Sequence, residues 1–406
     1  MHHASSNHSH PWPLASRTQH MAPSAVREIL KVTQQPGVLS LAGGLPSPDA
    51  FPLPALAQAS QQVWATQGAQ AMQYATSEGL PALREWLAQR LTRSGWAVQP
   101  EQVLITTGSQ QGLDLLGRTL LEPGEPLLLE QPTYLGALQS FAPYRPRWQP
   151  WPTAASEEGV QGPDPQALQS GQRAAYLVPS YQNPTGACLS LAQRQALVAR
   201  ATEQGVPLIE DNPYGNLWYD RPTPPPLAAL APEQVVYLGS FSKVLAPGLR
   251  LGYLVCPPSQ VATLGAKLLQ AKQGADLHSC GFSQRLVMQL LSDGFDLELH
   301  LQSVRARYQA QRDAMAASLR RHLPEGWHWQ VPQGGMFFWL QGPQGVDTTA
   351  LLPRALQAGV AFVPGGAFHM PMTAGQAVHT NTMRLSFVTL SAEQIKEAVQ
   401  RLVSCL

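Results

Sequence analysis

Residues 239–250 read G-S-F-S-K-V-L-A-P-G-L-R. This stretch follows an apolar, β-branched run at 235–238, which is typical of a buried strand that opens into a loop. Two glycines, Gly239 and Gly248, allow the backbone of the loop to come close to a ligand. The polar groups of the loop are two hydroxyls, one amine and one guanidinium, on Ser240, Ser242, Lys243 and Arg250. A ligand with a phosphate and a carbonyl would suit this set.

Lys243 is the residue of this loop that can form a covalent bond with a carbonyl. A lysine amine condenses with aldehydes once it has lost its proton, and burial beside other cations lowers its pKa from about 10.4 toward neutrality. Pyridoxal 5'-phosphate carries both an aldehyde and a phosphate. The loop therefore predicts a site for this cofactor, although an S-x-K sequence alone is more typical of an ordinary exposed lysine.

The composition argues against several classes of partner. With 406 residues the chain is expected to form two lobes, and its formal net charge of +1 favours neither nucleic acid nor an anionic membrane as a partner. No uninterrupted apolar segment is long enough to cross a bilayer. The four cysteines show no C-x-x-C spacing, so neither a metal site nor a disulfide framework is indicated, and a cytoplasmic location is expected. Residues 1–20 are interpreted as a flexible tail.

Short apolar runs alternate with helical stretches through the middle of the chain. Strands are predicted at 127–129, 175–178 and 206–209, and a helix is predicted at 191–204. This order favours a mostly parallel sheet with helices on both faces. Ligands of such sheets bind at the carboxyl ends of the strands, and the polar segments of this chain follow its predicted strands.

One polar segment follows the predicted strand 103–106 and opens a helix. At this turn the free N–H groups and the helix dipole are directed at an anion, with Ser109 and Gln110 as side-chain donors. The alternative is a capped helix that binds no ligand. If the segment is functional, it supplies a second element for phosphate binding.

Three further loops that follow strands carry groups suited to a pyridine ring. Tyr134 could stack on a flat heterocycle, or could be a core tyrosine. Asn183 offers an amide in a rigid proline turn and Tyr214 offers a phenol, so both can donate to the ring oxygen. A carboxylate at Asp211 would keep the ring nitrogen protonated, which lets the ring accept electrons from the substrate. A structural carboxylate that caps a helix is the alternative for Asp211.

Three candidates lie in the N-terminal part of the chain. Gly44 belongs to a glycine- and proline-rich turn at 39–48, where backbone N–H groups can face a ligand. Arg27 lies off the apolar face of a short predicted helix and, on this pattern alone, is interpreted as a surface arginine. Tyr74 lies in the loop before an amphipathic helix and, on its pattern alone, is a packing residue.

The last third of the chain is predicted to form a smaller α/β lobe. Polar and apolar residues alternate at 383–388, so Arg384 and Ser386 share one face of a strand. Arg384 is then a charged residue in a buried strand, and a substrate carboxylate would give it a partner. Ser391 and Gln394 predict a capping box for a C-terminal helix.

Taken together, these segments resemble one known family. The following motifs occur in the family's order between about Ser24 and Leu402: S-A-V-R-E-I-L, L-A-G-G-L-P-S-P, Q-Y-A-T-S-E-G, T-T-G-S-Q-Q-G-L-D, P-S-Y-Q-N-P-T-G, E-D-N-P-Y, G-S-F-S-K-V-L-A-P-G-L-R and A-K-Q-G-A-D-L-H. The chain resembles the pyridoxal-phosphate-dependent class I/II aminotransferases of fold type I, and most of all the bacterial 2-aminoadipate aminotransferases related to kynurenine aminotransferase II.

The resemblance implies the organisation of the chain. A large domain at 49–289 would contain a mostly parallel seven-stranded sheet, and a smaller α/β domain would occupy 290–406. Residues 21–48 would form an N-terminal arm that belongs in part to the small domain.

The resemblance also implies a role for each matching residue. Lys243 would form the Schiff base with the cofactor and carry the catalytic proton. The cofactor ring would be held by Asp211, Asn183, Tyr214 and Tyr134, and its phosphate by Ser109, Gln110, Ser240, Ser242, Arg250 and, from a second subunit, Tyr74. The substrate would be bound by Arg384 at its α-carboxylate, by Arg27 at a distal carboxylate, and by Gly44 and Asn183. The role of Tyr74 implies a homodimer with shared active sites.

The implied reaction moves the amino group of an L-amino acid to a 2-oxo acid such as 2-oxoglutarate. The amino donors that stay open are 2-aminoadipate, glutamate, and aromatic or branched-chain amino acids. A pyridoxal-phosphate β-lyase is an alternative, because the same residues serve elimination reactions. The effector domain of a transcriptional regulator is disfavoured, since the segment before Ser24 is too short for a winged-helix domain.

Overall fold

The computed structural model describes residues 12–21, 37–155, 161–370 and 380–406. The α-helices of these ranges are α1 (Leu53–Met72), α2 (Pro81–Arg93), α3 (Ser109–Leu120), α4 (Leu135–Phe141), α5 (Leu191–Gln204), α6 (Leu227–Leu230), α7 (Ala266–Gln273), α8 (Gly281–Ser292), α9 (Leu297–His322), α10 (Thr348–Gln357) and α11 (Ala392–Val403). The strands are β1 (Leu39–Ser40), β2 (Val103–Thr106), β3 (Pro126–Glu130), β4 (Arg147–Trp151), β5 (Thr153–Ala155), β6 (Gln161–Pro163), β7 (Ala174–Leu177), β8 (Leu208–Asp211), β9 (Val235–Ser240), β10 (Gly252–Val255), β11 (His328–Trp329), β12 (Phe337–Gln341), β13 (Val360–Ala361), β14 (Val363–Pro364) and β15 (Thr382–Ser386).

The largest sheet has seven strands in the order β2-β10-β9-β8-β7-β3-β4. Strand β10 is antiparallel to both of its neighbours, whereas the strands from β9 to β4 pair in parallel. Successive residues of a strand face opposite sides, and in β9 Val235 and Tyr237 pack in one core while Val236 and Leu238 pack in another. Both faces of the sheet are therefore buried, as a mostly parallel sheet requires.

Helices cover the two faces of this sheet. Helix α3 packs through Leu113 in the core on one face, and α5 packs through Leu197 in the core on the other. Helix α5 begins at a capping box of Ser190 and Gln193 and ends at Gly205, whose φ of 66° lies in the left-handed region. The predicted helix at 191–204 and the predicted sheet with helices on both faces are confirmed.

The second sheet has four strands in the order β11-β12-β15-β14, and each is antiparallel to its neighbours. Helix α11 packs on α9. It begins at the predicted capping box and buries its apolar face, made of Ile395, Ala398, Val399 and Leu402. All five residues of β15 are buried, so the face that Arg384 and Ser386 share is enclosed as completely as the apolar face.

The segment that precedes α1 is held by residues of the last third of the chain. Strand β1 pairs in parallel with β13, and the Ser386 N–H donates to the Leu41 carbonyl at 2.7 Å. Further along, the Ser47 N–H donates to the Tyr308 hydroxyl at 2.9 Å. Gly44 lies between these anchors. On this basis we propose the domain division expected from the sequence, with 49–289 as the large domain and 290–406, joined by part of 21–48, as the small one.

The remaining sequence predictions concern the N-terminal segment and membrane-spanning helices. The helix predicted around Arg27, and most of the N-terminal tail, lie outside the described residues. Among the helices that the structure does describe, none is both long and apolar enough to cross a membrane.

Candidate active site

A cavity of about 580 Å³ opens where the carboxyl ends of β8 and β9 face β15 of the small sheet. Most of the predicted site residues line it, namely Gly44, Ser109, Gln110, Tyr134, Asn183, Asp211, Tyr214, Ser240, Ser242, Lys243, Arg250 and Arg384. A larger cleft of about 920 Å³ adjoins it at Val178 and is lined by neither Lys243 nor Asp211. The smaller cavity is therefore the candidate site, because it collects the reactive groups.

Lys243 presents its amine inside this cavity. Its Nζ donates a hydrogen bond to the Gly44 carbonyl at 2.9 Å. Burial lowers the pKa of the Lys243 amine to about 8, and the nearby cations Arg384 and Arg250 act in the same direction. A substantial part of the amine is thus unprotonated near pH 8, which is the form that attacks a carbonyl or takes up a proton.

Asp211 ends strand β8, and the residue is 2 % exposed. One oxygen, Oδ2, accepts a hydrogen bond from the Tyr176 hydroxyl at 3.0 Å, while Oδ1 has no hydrogen-bond partner among the described residues. Burial raises the pKa of Asp211 to about 7, and the hydrogen bond from Tyr176 opposes that rise. A cationic N–H donor placed against Oδ1 would satisfy the orphaned atom and keep the carboxylate ionised.

Arg384 points into the cavity from β15. Its Nη1 donates to Asn183 Oδ1 and its Nη2 to the Ala42 carbonyl, each at 2.7 Å, and its guanidinium lies 4.2 Å from the centre of the Phe337 ring. The remaining nitrogen, Nε, has no partner among the described residues. Burial lowers the pKa of Arg384 to about 10, because no carboxylate compensates the desolvated charge. An anion that enters the cavity would compensate the charge of Arg384.

Asn183 links this arginine to the phenol of Tyr214. Its side chain hydrogen-bonds Tyr214 as well as Arg384. Burial raises the pKa of the Tyr214 phenol, so the group stays protonated and able to donate. The pair therefore places two potential donors beside Asp211 and Lys243 in the same cavity.

The opposite end of the cavity suits a phosphate. Helix α3 begins at Ser109, so the first N–H groups of the helix have no helical carbonyl to bond. Gly108 precedes them with a φ of 78°, and a Cβ at this position would lie 2.9 Å from Arg250 Nη2. In the loop at 239–250, the Ser240 hydroxyl accepts from the Ser242 N–H at 3.1 Å, so this part of the loop folds back on itself.

Gln110 differs from the expectation of a side-chain donor. Both hydrogens of its amide are used, since Nε2 donates to the Gly136 carbonyl at 2.8 Å and to Ser140 Oγ at 2.7 Å. Its Oε1 accepts from the Tyr134 hydroxyl at 3.2 Å. Gln110 thus holds Tyr134 at the edge of the cavity, and what it can offer a phosphate is its backbone N–H.

One of the predicted residues is not brought to this cavity. Tyr74 is 79 % exposed, and its ring contacts His278 at 5.8 Å between centroids rather than lining the cavity of its own chain. Arg27 lies outside the described residues. Tyr176 was not predicted at all: its position in the run 174–177, one residue from Leu177, gives it the pattern of a core residue, and only the pairing of β7 with β8 brings it to Asp211.

Comparison with known proteins gives this geometry a context. Residues 36–402 match the model of the family described as aminotransferase class I and II. The chain belongs to this family. It is 43 % identical over 388 residues to a 2-aminoadipate transaminase of Thermus thermophilus, and the match covers 93 % of this chain and 92 % of that protein. An aromatic-amino-acid aminotransferase of Thermococcus litoralis is 36 % identical, with 95 % and 92 % covered.

A solved structure shows the same fold. The α-aminoadipate aminotransferase of Thermus thermophilus, in complex with N-(5'-phosphopyridoxyl)-L-leucine, superposes with a TM-score of 0.85 at 41 % identity, covering 97 % of this chain and 96 % of that one. This aminotransferase therefore has the expected fold type I architecture. It is an amino-acid transaminase that depends on pyridoxal phosphate.

The cavity fits that cofactor. The orphaned Oδ1 of Asp211 suits a protonated pyridine nitrogen, the amine of Lys243 suits an aldehyde, and the start of α3 with Arg250 suits a phosphate.

Proposed function

We propose that this aminotransferase takes the amino group from a dicarboxylic L-amino acid, 2-aminoadipate or glutamate, and passes it to 2-oxoglutarate. Arg384, buried with its Nε unpartnered among the described residues, supports binding of an α-carboxylate. The early motif S-A-V-R-E-I-L supplies Arg27 as a candidate for the distal carboxylate. The name of the 43 % identical relative, a 2-aminoadipate transaminase, supports the same class of substrate.

We also propose the roles of the residues around the cofactor. When bound, pyridoxal phosphate supplies a carbonyl that takes up an amino group and a ring that accepts electrons. Asp211 would hold a proton on the ring nitrogen, Asn183 and Tyr214 would donate to the ring oxygen, and Tyr134 would cover the ring. The phosphate would be held by the backbone or side chains of Ser109, Gln110, Ser240, Ser242 and Arg250.

Lys243 and the substrate-binding residues carry out the proton transfer. Lys243, with its pKa lowered to about 8, is the base that would take the proton from Cα of the amino acid and carry it within the cavity. Arg384 fixes the α-carboxylate, with Asn183 as the residue that orients its guanidinium. The Gly44 carbonyl accepts from the free Lys243 amine and so keeps that amine inside the cavity when it is not bonded to the cofactor.

The half-reaction with a single amino acid tests the substrate class. We expect L-2-aminoadipate, added without an acceptor, to convert the visible absorption band of the bound cofactor to that of pyridoxamine phosphate and to release 2-oxoadipate. Arg27→Gln should raise KM for 2-aminoadipate roughly 10- to 100-fold, since it removes a charged hydrogen bond, and should leave KM for leucine unchanged. The exposed Arg93→Gln is the matched control.

Neutral amino acids are the second candidate substrates. Leu45, Leu135 and Phe368 line the cavity and would suit an aliphatic or aromatic side chain. A cofactor band that responds to leucine or phenylalanine but not to 2-aminoadipate would contradict the dicarboxylic proposal. If Arg27→Gln raises KM equally for 2-aminoadipate and for leucine, Arg27 does not bind the distal carboxylate specifically.

We further propose a homodimer in which Tyr74 reaches the phosphate of the partner's site. Tyr74 is exposed, and so are Trp64, Met72 and Leu277. The ring of Tyr74 contacts His278, and that of Trp64 stacks on Phe282, so α1 and the segment around α8 present these residues together. Such a surface is suited to burial against a second copy.

Mixed dimers test this arrangement. Tyr74→Ala and Lys243→Ala should each be nearly inactive, yet their hybrid contains one site with both residues intact if Tyr74 acts across the interface. An equal mixture refolded together should therefore regain about a quarter of wild-type activity. Activity that stays at the level of the two parents would place Tyr74 in its own chain's site. A monomer by light scattering would contradict the dimer itself.

A cytoplasmic location is also proposed. All four cysteines lie in described parts of the chain and are free thiols, which a reducing compartment would preserve.

A further inference from the structure

Lys272, in the motif A-K-Q-G-A-D-L-H at 271–278, is a fully buried lysine outside the cavity. Its Nζ donates to Asp276 Oδ1 at 2.9 Å, to Gln111 Oε1 at 3.0 Å and to Ser279 Oγ at 3.0 Å. A buried ammonium with three different acceptors is fixed in one position, because each bond lost would leave a desolvated polar atom.

The acceptors of Lys272 converge on a single residue, Thr107. Gln111 Oε1 accepts from the Thr107 N–H at 2.8 Å, and Asp276 Oδ2 accepts from the Thr107 hydroxyl at 2.8 Å. Ser279 Oγ lies 3.2 Å from that same hydroxyl. The Thr107 carbonyl accepts from Arg250 Nη2 at 3.4 Å. The backbone of Thr107 is thus held on both its donor and its acceptor side.

Thr107 lies just before the start of α3, where a displacement would matter most. Gly108 has no room for a Cβ beside Arg250, and a Cβ on Gly252 would lie 2.7 Å from both Gly108 C and Ser109 N. The turn is therefore packed between β10 and the guanidinium of Arg250. A shift of Thr107 would move the Ser109 and Gln110 N–H groups relative to Arg250.

We propose that Lys272 and Asp276 are positioning residues for the phosphate-binding turn, and that they set the affinity of the site for the phosphate of its cofactor. The proposal rests on the proposed function of Ser109 and Arg250 as phosphate ligands. The ion pair fixes Gln111 and the Thr107 hydroxyl, these fix the turn, and the turn aims its N–H groups at the phosphate. The competing explanation is structural, since the same motif continues into His278, whose ring contacts Tyr74 at the proposed dimer surface.

The dissociation constants of pyridoxal phosphate and of pyridoxal, which lacks the phosphate, separate these explanations. They are measured by fluorescence quenching on the full-length protein after removal of cofactor. Lys272→Met and Thr107→Val should each raise Kd for pyridoxal phosphate roughly 10-fold, and should leave Kd for pyridoxal within about twofold. Thr107→Ser keeps the hydroxyl and should restore wild-type affinity. Lys267→Met is the matched control, because this exposed lysine on the same helix bonds only Gln270 among the described residues.

Each outcome decides between the proposals. Equal weakening of both ligands, or no weakening of either, would overturn the positioning role of Lys272 and Asp276. Should Lys272→Met not fold, the pair Thr107→Val and Thr107→Ser gives the answer, because Thr107 is a smaller and less buried side chain. The double variant Ser109→Ala with Arg250→Leu tests whether these two residues bind the phosphate. If it leaves the preference for pyridoxal phosphate over pyridoxal unchanged, the proposed phosphate site is wrong, whatever the result for Lys272.

Discussion

Replacing Lys243 by alanine should abolish turnover, with a loss of about 10⁴-fold or more in kcat. Among the described residues that line the cavity, Lys243 is the one that carries an amine. The variant therefore loses both the group that bonds the cofactor carbonyl and the base that moves the Cα proton. Asp211, Arg250 and the start of α3 are untouched, so pyridoxal phosphate should still bind, without a covalent link to the protein.

Single-turnover spectroscopy with an added amino acid measures this effect. The exposed Lys267→Ala is the control and should keep wild-type rates. Multiple turnovers by the purified Lys243→Ala enzyme, at more than a trace of the wild-type rate, would show that another base carries the proton. Loss of cofactor binding together with loss of activity would instead mean that the substitution damages the cavity.

The assembly of the cavity could be predicted from the sequence because of one geometric rule. In a parallel sheet the carboxyl ends of the strands meet at one edge, so polar residues placed after β2, β8 and β9 converge whatever their separation along the chain. Ser109, Asp211 and Lys243 are each found this way. Arg384 could be predicted for a different reason, since a charge in a buried strand requires an anion.

The supporting residues could not be predicted by the same means. Tyr176 has the local pattern of a core side chain, and its hydrogen bond to Asp211 depends on the register in which Tyr176 pairs with Ile209. Lys272 contacts Gln111 across 161 positions of sequence, and no local periodicity encodes that contact. The side chain of Gln110 was expected to face the ligand, but it bonds α4 instead, because Gly136 and Ser140 offer it two acceptors.

Asp211→Asn should lower kcat/KM by roughly 10²- to 10³-fold while leaving the fold intact. Asparagine has the shape of aspartate and can still accept the hydrogen bond from Tyr176, so the buried volume and the contact at Oδ2 are preserved. What disappears is the negative charge at the orphaned Oδ1 position. Without it, no negative charge at that position favours a proton on the ring nitrogen, and the electrons released at Cα are accepted less readily.

The variant Tyr176→Phe separates the charge of Asp211 from its orientation. It keeps the carboxylate but removes the hydrogen bond that opposes the burial-induced rise in its pKa, so the pKa of Asp211 should be higher than in the wild type and activity should be lost at a higher pH on the acid side. We expect a loss of about 10-fold or less near pH 8 that grows as the pH falls, because protonation of Asp211 then removes the charge. Asp211→Asn should show no such growth, since its amide does not titrate.

Nitrogen-15 spectra of the bound cofactor test the charge directly. They should show a protonated ring nitrogen in the wild type and in Tyr176→Phe at pH 8, and an unprotonated one in Asp211→Asn. A protonated ring nitrogen in Asp211→Asn would mean that a residue other than Asp211 keeps the proton on the ring.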